Sequence, residues 1–301
     1  MPARMIDGRA LAERIRAQLR ADIAELSQVL PPICLASIEV GDNAASGLFI
    51  RNQARAAQEM GMRFEHVHLP AATTEDELVR CIRERNDDPT VNGILVQRPL
   101  PPGINTRRVQ AKVHPDKDVE GLNPSNMGYI AIGEPRLVPC TALAAVRVLL
   151  STGVDPRGKD VAVVGHSEIV GKPIAFLLLN LFATVTICHV ATQGLAMHTR
   201  ESDIVFVAVG KPGLVTGDML KPGAIVIDIG INRVTGPDGK PRTVGDVDQE
   251  SVAAVASWLT PVPGGVGPVT VATLLSNAVT ATRLQHRDRL GPVEFTPVTA
   301  P

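Results

Sequence analysis

Apolar positions along the chain alternate between two periods. In residues 9–30 (RALAERIRAQLRADIAELSQVL), Leu, Ile and Ala recur at helical spacing, and Pro31-Pro32 predict the stop, because proline fixes φ and lacks an amide donor. The run ICLASIEVG is short, apolar and closed by Gly41, as in a buried strand. A helical stretch follows from about Leu48 to Met60, then a helix over 75–86 and the strand VNGILVQ (91–97). Strand–helix–strand order with near-continuous apolar strands predicts a parallel sheet covered by helices on both faces. Residues 98–139 are rich in Pro, Gly and Asn and predict a loop-rich region near a cleft. After a helix at about 141–152 a second series begins, with strands KDVAVVG (159–165), ATVTICH (183–189), SDIVFVAVG (202–210) and GAIVIDIG (223–230). A last helix, from about Val269 to Arg287, is expected to pack back on the first domain. The aperiodic tail Gly291–Pro301 is expected to be mobile.

Composition narrows the class. Lys+Arg of 30 against Asp+Glu of 31 leaves a net charge of −1, without the basic footprint that nucleic acid or an anionic membrane surface selects. No run approaches the roughly 18 apolar residues of a membrane span. The N-terminus lacks the apolar segment of a secretory signal, so a cytoplasmic location is expected. Cys34, Cys81, Cys140 and Cys188 are scattered without zinc-like spacing, so neither a disulfide framework nor a metal is expected. Aromatic residues make up only 3%, with Tyr129 the sole tyrosine, so no tyrosine lies in the first helices.

Two stretches carry chemistry. Val161–Gly171 (VAVVGHSEIVG) runs from a buried strand through a glycine turn into a helix, the context in which helix N-terminal amides hold a pyrophosphate. Its spacing is G-x-S-x-x-x-G and not the commoner G-x-G-x-x-G, so an ordinary strand–helix turn is the competing reading. The next strand ends at Cys188-His189-Val190, where an NAD site would often place Asp or Glu on the ribose hydroxyls. The missing acid leans toward NADP over NAD, although no Arg stands there for a 2′-phosphate. The second stretch, PVPGGVGPVTVATLL (261–275), places three glycines within four positions before a helix, more than a helix entry requires, and predicts a surface where a ligand approaches the backbone.

Taken together, IDGRALA, VGDNAAS, GILVQRPLP, HPDKDVEGLNPSN, PCT, VVGHSEIVGKP, VAVGKPG, VIDIGIN, VGDV and PVPGGVGPVTVATLL resemble the methylene-tetrahydrofolate dehydrogenase/cyclohydrolase family over about residues 5–287. The resemblance implies two α/β domains around a cleft. Residues 1–140 plus 269–290 would hold folate, and 141–268 would form a Rossmann-type, doubly wound parallel sheet for NAD(P), usually within a homodimer. It implies cofactor contacts by Gly165, His166, Ser167, Val190, Ile231, Gly265, Val266 and Gly267. Substrate contacts fall to Phe49, Val96, Gln97, Arg98, Glu120, Pro263, Gly264 and Gly265, with Gln53, Gln97 and Glu120 at the reacting centre.

The first-domain signature departs from the family pattern. Where the family has a Tyr and, four residues on, a Lys, this chain has Phe49 and Gln53; the Leu after Gln97 is Arg98, and an Asp is Glu120. Residues i and i+4 share a helix face, so the first two changes fall on one surface. Cyclohydrolysis adds water to a methenyl cation and needs a group that moves a proton near neutral pH, which a desolvated Lys provides and the Gln53 amide does not. Arg98 keeps its proton and is a poor substitute. Hydride transfer needs positioning and a complementary field, without obligatory proton transfer. The sequence therefore predicts an NAD(P)-dependent methylene-tetrahydrofolate dehydrogenase with weak or absent cyclohydrolase activity. The alternatives are a specialised-pathway paralogue with altered folate chemistry and a non-catalytic folate- or nucleotide-binding homologue. His114, Asp116 and Asp118 are expected to be structural, and Lys117 a surface charge.

Overall fold

The computed structural model describes residues 2–42, 44–236 and 239–293, with the side chains of residues 44–46 and 48 left aside. Most of the tail expected to be mobile lies outside the described residues. The strands in chain order are β1 (Arg4–Met5), β2 (Cys34–Val40), β3 (Arg63–Leu69), β4 (Gly93–Val96), β5 (Asp160–Val164) and β6 (Thr184–Cys188). They continue with β7 (Ile204–Val207), β8 (Ile225–Asp228), β9 (Asn232–Thr235), β10 (Pro241–Val244) and β11 (Trp258–Leu259). By contacts the described chain forms two compact units, 14–140 with 271–293, and 2–13 with 141–270.

In the first of these, β3-β2-β4 form a parallel three-stranded sheet, with Leu35 opposite Gly93 and Ile38 opposite Val96. Alternation sends Leu35 to one face, where it joins Leu19, Ala57, Val119, Leu274 and Ala278. Cys34, Ala36 and Ile38 go to the other, against Leu78 and Ile82 of helix Glu75–Asp87. The half of helix Val266–Gln285 after Thr270 thus packs on this unit. Asn277 on that helix donates through Nδ2 to the carbonyls of Val119 and Val138, both at 2.8 Å, tying two irregular segments to it.

The second unit is built on six parallel strands in the order β1-β11-β8-β7-β5-β6. Counted from β5, the strands of 141–270 run 2-1-3-4-5, a doubly wound order that changes direction between β5 and β7. A β9–β10 antiparallel hairpin is appended.

Two expectations need correction, and one strand escapes the sequence pattern. Residues 2–13 belong with 141–270, because β1 pairs with β11 (Arg4 opposite Trp258, Met5 opposite Leu259), a long-range pairing that two residues cannot announce. The segment 98–139 contains short helices at Thr106–Gln110 and Pro124–Ala131, capped by the side chains of Asn105 and Asn123. Strand β3 is not among the expected strands because RFEHVHL lies at a sheet edge and mixes polar Arg63, Glu65, His66 and His68 with its apolar residues.

Candidate functional site

In the three-stranded unit, the helix Ala44–Glu59 buries Ile50, Ala56 and Ala57 and thereby fixes which face turns toward the sheet. Gln53 lies on it half-buried, and Phe49, one turn earlier, is 56% exposed. Gln97 follows directly on β4, its backbone N–H held by Ile38 O at 2.8 Å. Its Nε2 donates to Gln53 Oε1 at 2.8 Å and to Ser37 Oγ at 2.9 Å. Both amide hydrogens are used, and Gln97 is pinned between a helix and the central strand. Ser37 is a positioning residue that sequence reasoning missed; its only signal is a polar residue inside the apolar run ICLASIEV.

Glu120 is placed by a compact turn. Asp118 bridges in parallel to Ile94, which brings Glu120 beside Val96, and Val96 N donates to Glu120 Oε2 at 3.3 Å. The turn after it requires Gly121, at φ +70°, where a Cβ would lie 2.3 Å from the Val138 carbonyl carbon. Asp118 is fully buried and accepts from Asn123 N (2.6 Å), Gln110 Nε2 (3.0 Å) and Asn126 Nδ2 (3.1 Å). Burial pushes the Asp118 carboxyl up to about 6 against the pull of these donors. Burial likewise pushes Glu120 up to about 7; Arg98 opposes the rise and Asp118 adds to it. Arg98 is half-buried, and its Nε is shielded from solvent without a hydrogen-bond partner among the described residues.

Lys117 departs from expectation. It is only 6% exposed, and its ammonium donates to the carbonyls of Arg85 (3.1 Å), Asn86 (2.7 Å) and Asp88 (2.7 Å). Those are carbonyls at the end of helix Glu75–Asp87, where a cation is favoured by the helix dipole, so Lys117 is a buried cap and not a surface charge. Asp116 and His114 are structural as expected: His114 Nδ1 accepts from Asp116 N at 3.1 Å, and Asp116 pairs with Arg136 and Arg287.

In the six-stranded unit the candidate residues gather at the carboxyl ends of the strands. Gly165 closes β5 with φ +122°, and a Cβ there would lie 2.2 Å from the Ala208 carbonyl oxygen beyond β7. A Cβ on Gly171, the first residue of helix Gly171–Asn180, would meet Gly165 O at 1.8 Å. The turn is thus drawn tight against the following helix at the point where the strand order reverses, which is where open α/β sheets bind ligands. His166 and Ser167 are exposed there; the His166 ring lies 5.1 Å from that of His189, and Ser167 Oγ accepts from Val170 N at 3.2 Å. Val190 is fully exposed and Ile231 is 63% exposed, apolar surface beside the ends of β6 and β8. Gly265 carries its carbonyl into van der Waals closeness with Gly8, where a Cβ would approach to 1.8 Å, whereas a Cβ on Gly267 would meet nothing. Pro263, Gly264 (φ +112°), Gly265, Val266 and Gly267 thus belong to this unit and not to the one containing Gln97. Close backbone packing, open space at Gly267 and exposed apolar side chains at the strand ends fit an extended dinucleotide.

Two aspartates escaped the sequence reading. Asp228 ends β8, is 1% exposed, and accepts from Gly230 N (2.9 Å), Asp246 N (2.9 Å) and Val247 N (3.1 Å). Asp246, fully buried, accepts from Val209 N (2.6 Å), Gly210 N (2.9 Å) and Asn232 Nδ2 (2.8 Å). Together they fix the loops after β7 and β8, including the segment that presents Ile231. Burial raises the Asp228 carboxyl to about 6 although three amides favour its charge. The signal was present as Asp–Gly proximity in VIDIGIN and VGDV: a Cβ on Gly230 or Gly245 would collide with the Asp246 or Asp228 carboxylate.

The chain is similar to known proteins over most of its length. Residues 6–120 match the catalytic domain, and 139–286 the NAD(P)-binding domain, of the family described as tetrahydrofolate dehydrogenase/cyclohydrolase. The bifunctional protein FolD of Rhodobacter capsulatus is 51% identical over 282 residues, 94% of each chain. A second FolD, from Mesorhizobium japonicum, is 53% identical over 284 residues, covering 94% of this chain and 93% of its own. Among solved structures, the bifunctional FolD of Campylobacter jejuni superposes with a TM-score of 0.90 at 42% identity, covering 94% of this chain and 99% of its own. The Trypanosoma brucei methylenetetrahydrofolate dehydrogenase-cyclohydrolase, complexed with NADP and an inhibitor, also gives 0.90, at 41% identity and 95% and 99% coverage. With both domain patterns matched in order and full-length relatives near half identity, the chain belongs to the tetrahydrofolate dehydrogenase/cyclohydrolase family.

Proposed function

We propose that the chain oxidises 5,10-methylene-tetrahydrofolate to the 5,10-methenyl form with NADP, in preference to NAD, and has little or no cyclohydrolase activity. The observation that carries the reading is the Gln53–Gln97 contact: the side chain facing Gln97 from the neighbouring helix is a neutral amide. An amide pair orients a substrate through hydrogen bonds yet neither takes nor gives a proton near neutral pH. Gln97, Gln53 and Glu120 would hold the pterin and its one-carbon bridge, with Phe49 packed against the ring face and Val96 and Arg98 beside it. Gly165, His166, Ser167, Val190, Ile231 and the Pro263–Gly267 backbone would hold the dinucleotide, which supplies the hydride acceptor. That assignment rests on the tight β5 turn and the exposed apolar side chains at the strand ends. No acidic side chain stands at His189-Val190 to select a free ribose hydroxyl, which supports NADP.

One observation favours a second reading. Glu120 sits in the acidity range useful for proton transfer, and the relatives are named bifunctional, so a residual cyclohydrolase would run through Glu120. Adding methenyl-tetrahydrofolate and following its decay separates the two. Decay at the rate of buffer alone supports the first reading; decay accelerated by the protein and abolished in Glu120→Gln supports the second.

A homodimer is supported by the edge strand β6, whose outer row of backbone groups adjoins exposed Leu179, Phe182 and Ile187.

A further inference from the structure

Arg98 and Glu120 carry opposite charges at the same end of β4, and each is short of partners. Among the described residues, Arg98 makes no side-chain hydrogen bond or ion pair within 4.0 Å, and its Nε is enclosed without an acceptor. Glu120 accepts one long hydrogen bond, from Val96 N at 3.3 Å. The charged groups bearing on Glu120 are Arg98, which favours its ionised form, and Asp118, which opposes it and is itself occupied by Gln110, Asn123 and Asn126. The site therefore holds a cation and a carboxylate that feel one another without being spent on one another.

The chemistry gives such a pair a task. In the oxidation, a C–H bond of the one-carbon bridge breaks and its hydrogen leaves with both electrons for the nicotinamide ring. The lone pair of a neighbouring folate nitrogen closes a C=N⁺ bond. No proton is exchanged. The folate goes from neutral to singly positive at the bridge while the nicotinamide loses its positive charge, so positive charge moves onto the folate.

We propose that Arg98 and Glu120 form an electrostatic balance for this migrating charge, in which the Glu120 carboxylate favours the cationic methenyl folate and the Arg98 guanidinium disfavours it. The inference rests on the reading that places the folate bridge beside Gln53, Gln97 and Glu120. Arg98 thereby acts as a specificity-determining residue: it weakens retention of the oxidised product and leaves neutral folates almost unaffected. Glu120 is the opposing arm, effective only while ionised. The family's Leu at the Arg98 position would supply no such counterweight.

Binding tests the balance without turnover. Dissociation constants for methenyl-tetrahydrofolate and for tetrahydrofolate, which is uncharged at the one-carbon position, are measured by stopped-flow fluorescence at pH 7.5, before hydrolysis proceeds, in the wild type, Arg98→Met and Glu120→Gln. The ratio of the two constants is the readout, because it cancels any loss of pterin binding common to both ligands, and circular dichroism reports whether each variant is folded. The expected result is a cation preference raised at least about fivefold in Arg98→Met and lowered at least about fivefold in Glu120→Gln. In parallel, carboxyl ¹³C NMR of the ligand-free protein, with Glu120 assigned by its loss in Glu120→Gln, is expected to move its titration to higher pH in Arg98→Met. Ratios within about twofold of the wild type in both variants, or an unmoved titration, would overturn the proposal. A wild type that binds neither folate while Glu120 still responds to Arg98 would overturn the folate-site reading, and the charge balance with it. That outcome is distinct from folate binding with unchanged ratios, which sinks the balance alone.

Discussion

Gln97 reaches Gln53 across 2.8 Å, through the same Nε2 that donates to Ser37 Oγ at 2.9 Å. This three-residue chain locks the amide without adding charge. Gln53→Ala leaves one Gln97 hydrogen to water and removes about 1 kcal/mol of positioning, so kcat/KM for folate should fall roughly fivefold with KM for the dinucleotide unchanged. Gln53→Lys puts an ammonium against Gln97 Oε1 after a flip of its amide. Methenyl hydrolysis should then rise at least about a hundredfold above that of the parent protein, the lower end of general acid–base effects.

The pH dependence follows from Glu120. Its carboxyl is raised from 4.5 to about 7, so the charge that favours the methenyl cation is present above that pH and lost below it. Forward kcat/KM should rise through about pH 7 and level off, and Glu120→Gln should flatten that step. Stability runs the other way. A carboxyl that is a weaker acid folded than unfolded lends stability fully below 4.5, and loses it as pH rises to about 7. The loss is at most about 3 kcal/mol, reduced by the solvent reaching this half-buried side chain. Urea titrations at pH 5 and pH 8 should show the slope diminished in Glu120→Gln.

Asp228 makes a sharper demand on structure. Its two oxygens accept three backbone amides, and an asparagine would keep one acceptor while pointing N–H at another N–H. Asp228→Asn should cost about 2–4 kcal/mol of stability in spite of relieving a buried charge. It should also weaken NADP binding through the displaced Gly230–Ile231 segment, which thermal melts and calorimetric titration would register together.

Lys117→Met separates scaffold from site. Three carbonyls would lose their donor at the end of helix Glu75–Asp87. A loss of about 1–3 kcal/mol and a lower Tm are expected, with kcat retained in the folded fraction. A large fall in kcat at unchanged Tm would place Lys117 in the chemistry instead.

What the sequence disclosed and what it hid divide along physical lines. The buried strands and the final helix were legible because their apolar periodicity is set by local burial, and Gln97 and Gly165 stood in motifs read as units. Strand β3 hid because an edge strand mixes polar and apolar residues, and β1 because two residues owe their strand to pairing with Trp258 and Leu259. Lys117 misled because a charged residue in a Pro–Asp turn is usually solvated; its burial depends on carbonyls about 30 residues away that only folding brings near. Ser37, Asp228 and Asp246 act by holding other groups in place, a role defined by three-dimensional neighbours and not by residue type.

The central claim is that this site transfers hydride but does not hydrolyse the product. Supplying the protein with methylene-tetrahydrofolate and NADP, and recording cofactor reduction and methenyl disappearance as separate signals, tests it directly. The account predicts steady reduction with methenyl-tetrahydrofolate accumulating in step and decaying only at the rate of buffer alone. Reduction accompanied by protein-dependent loss of the methenyl signal, dose for dose, would contradict it.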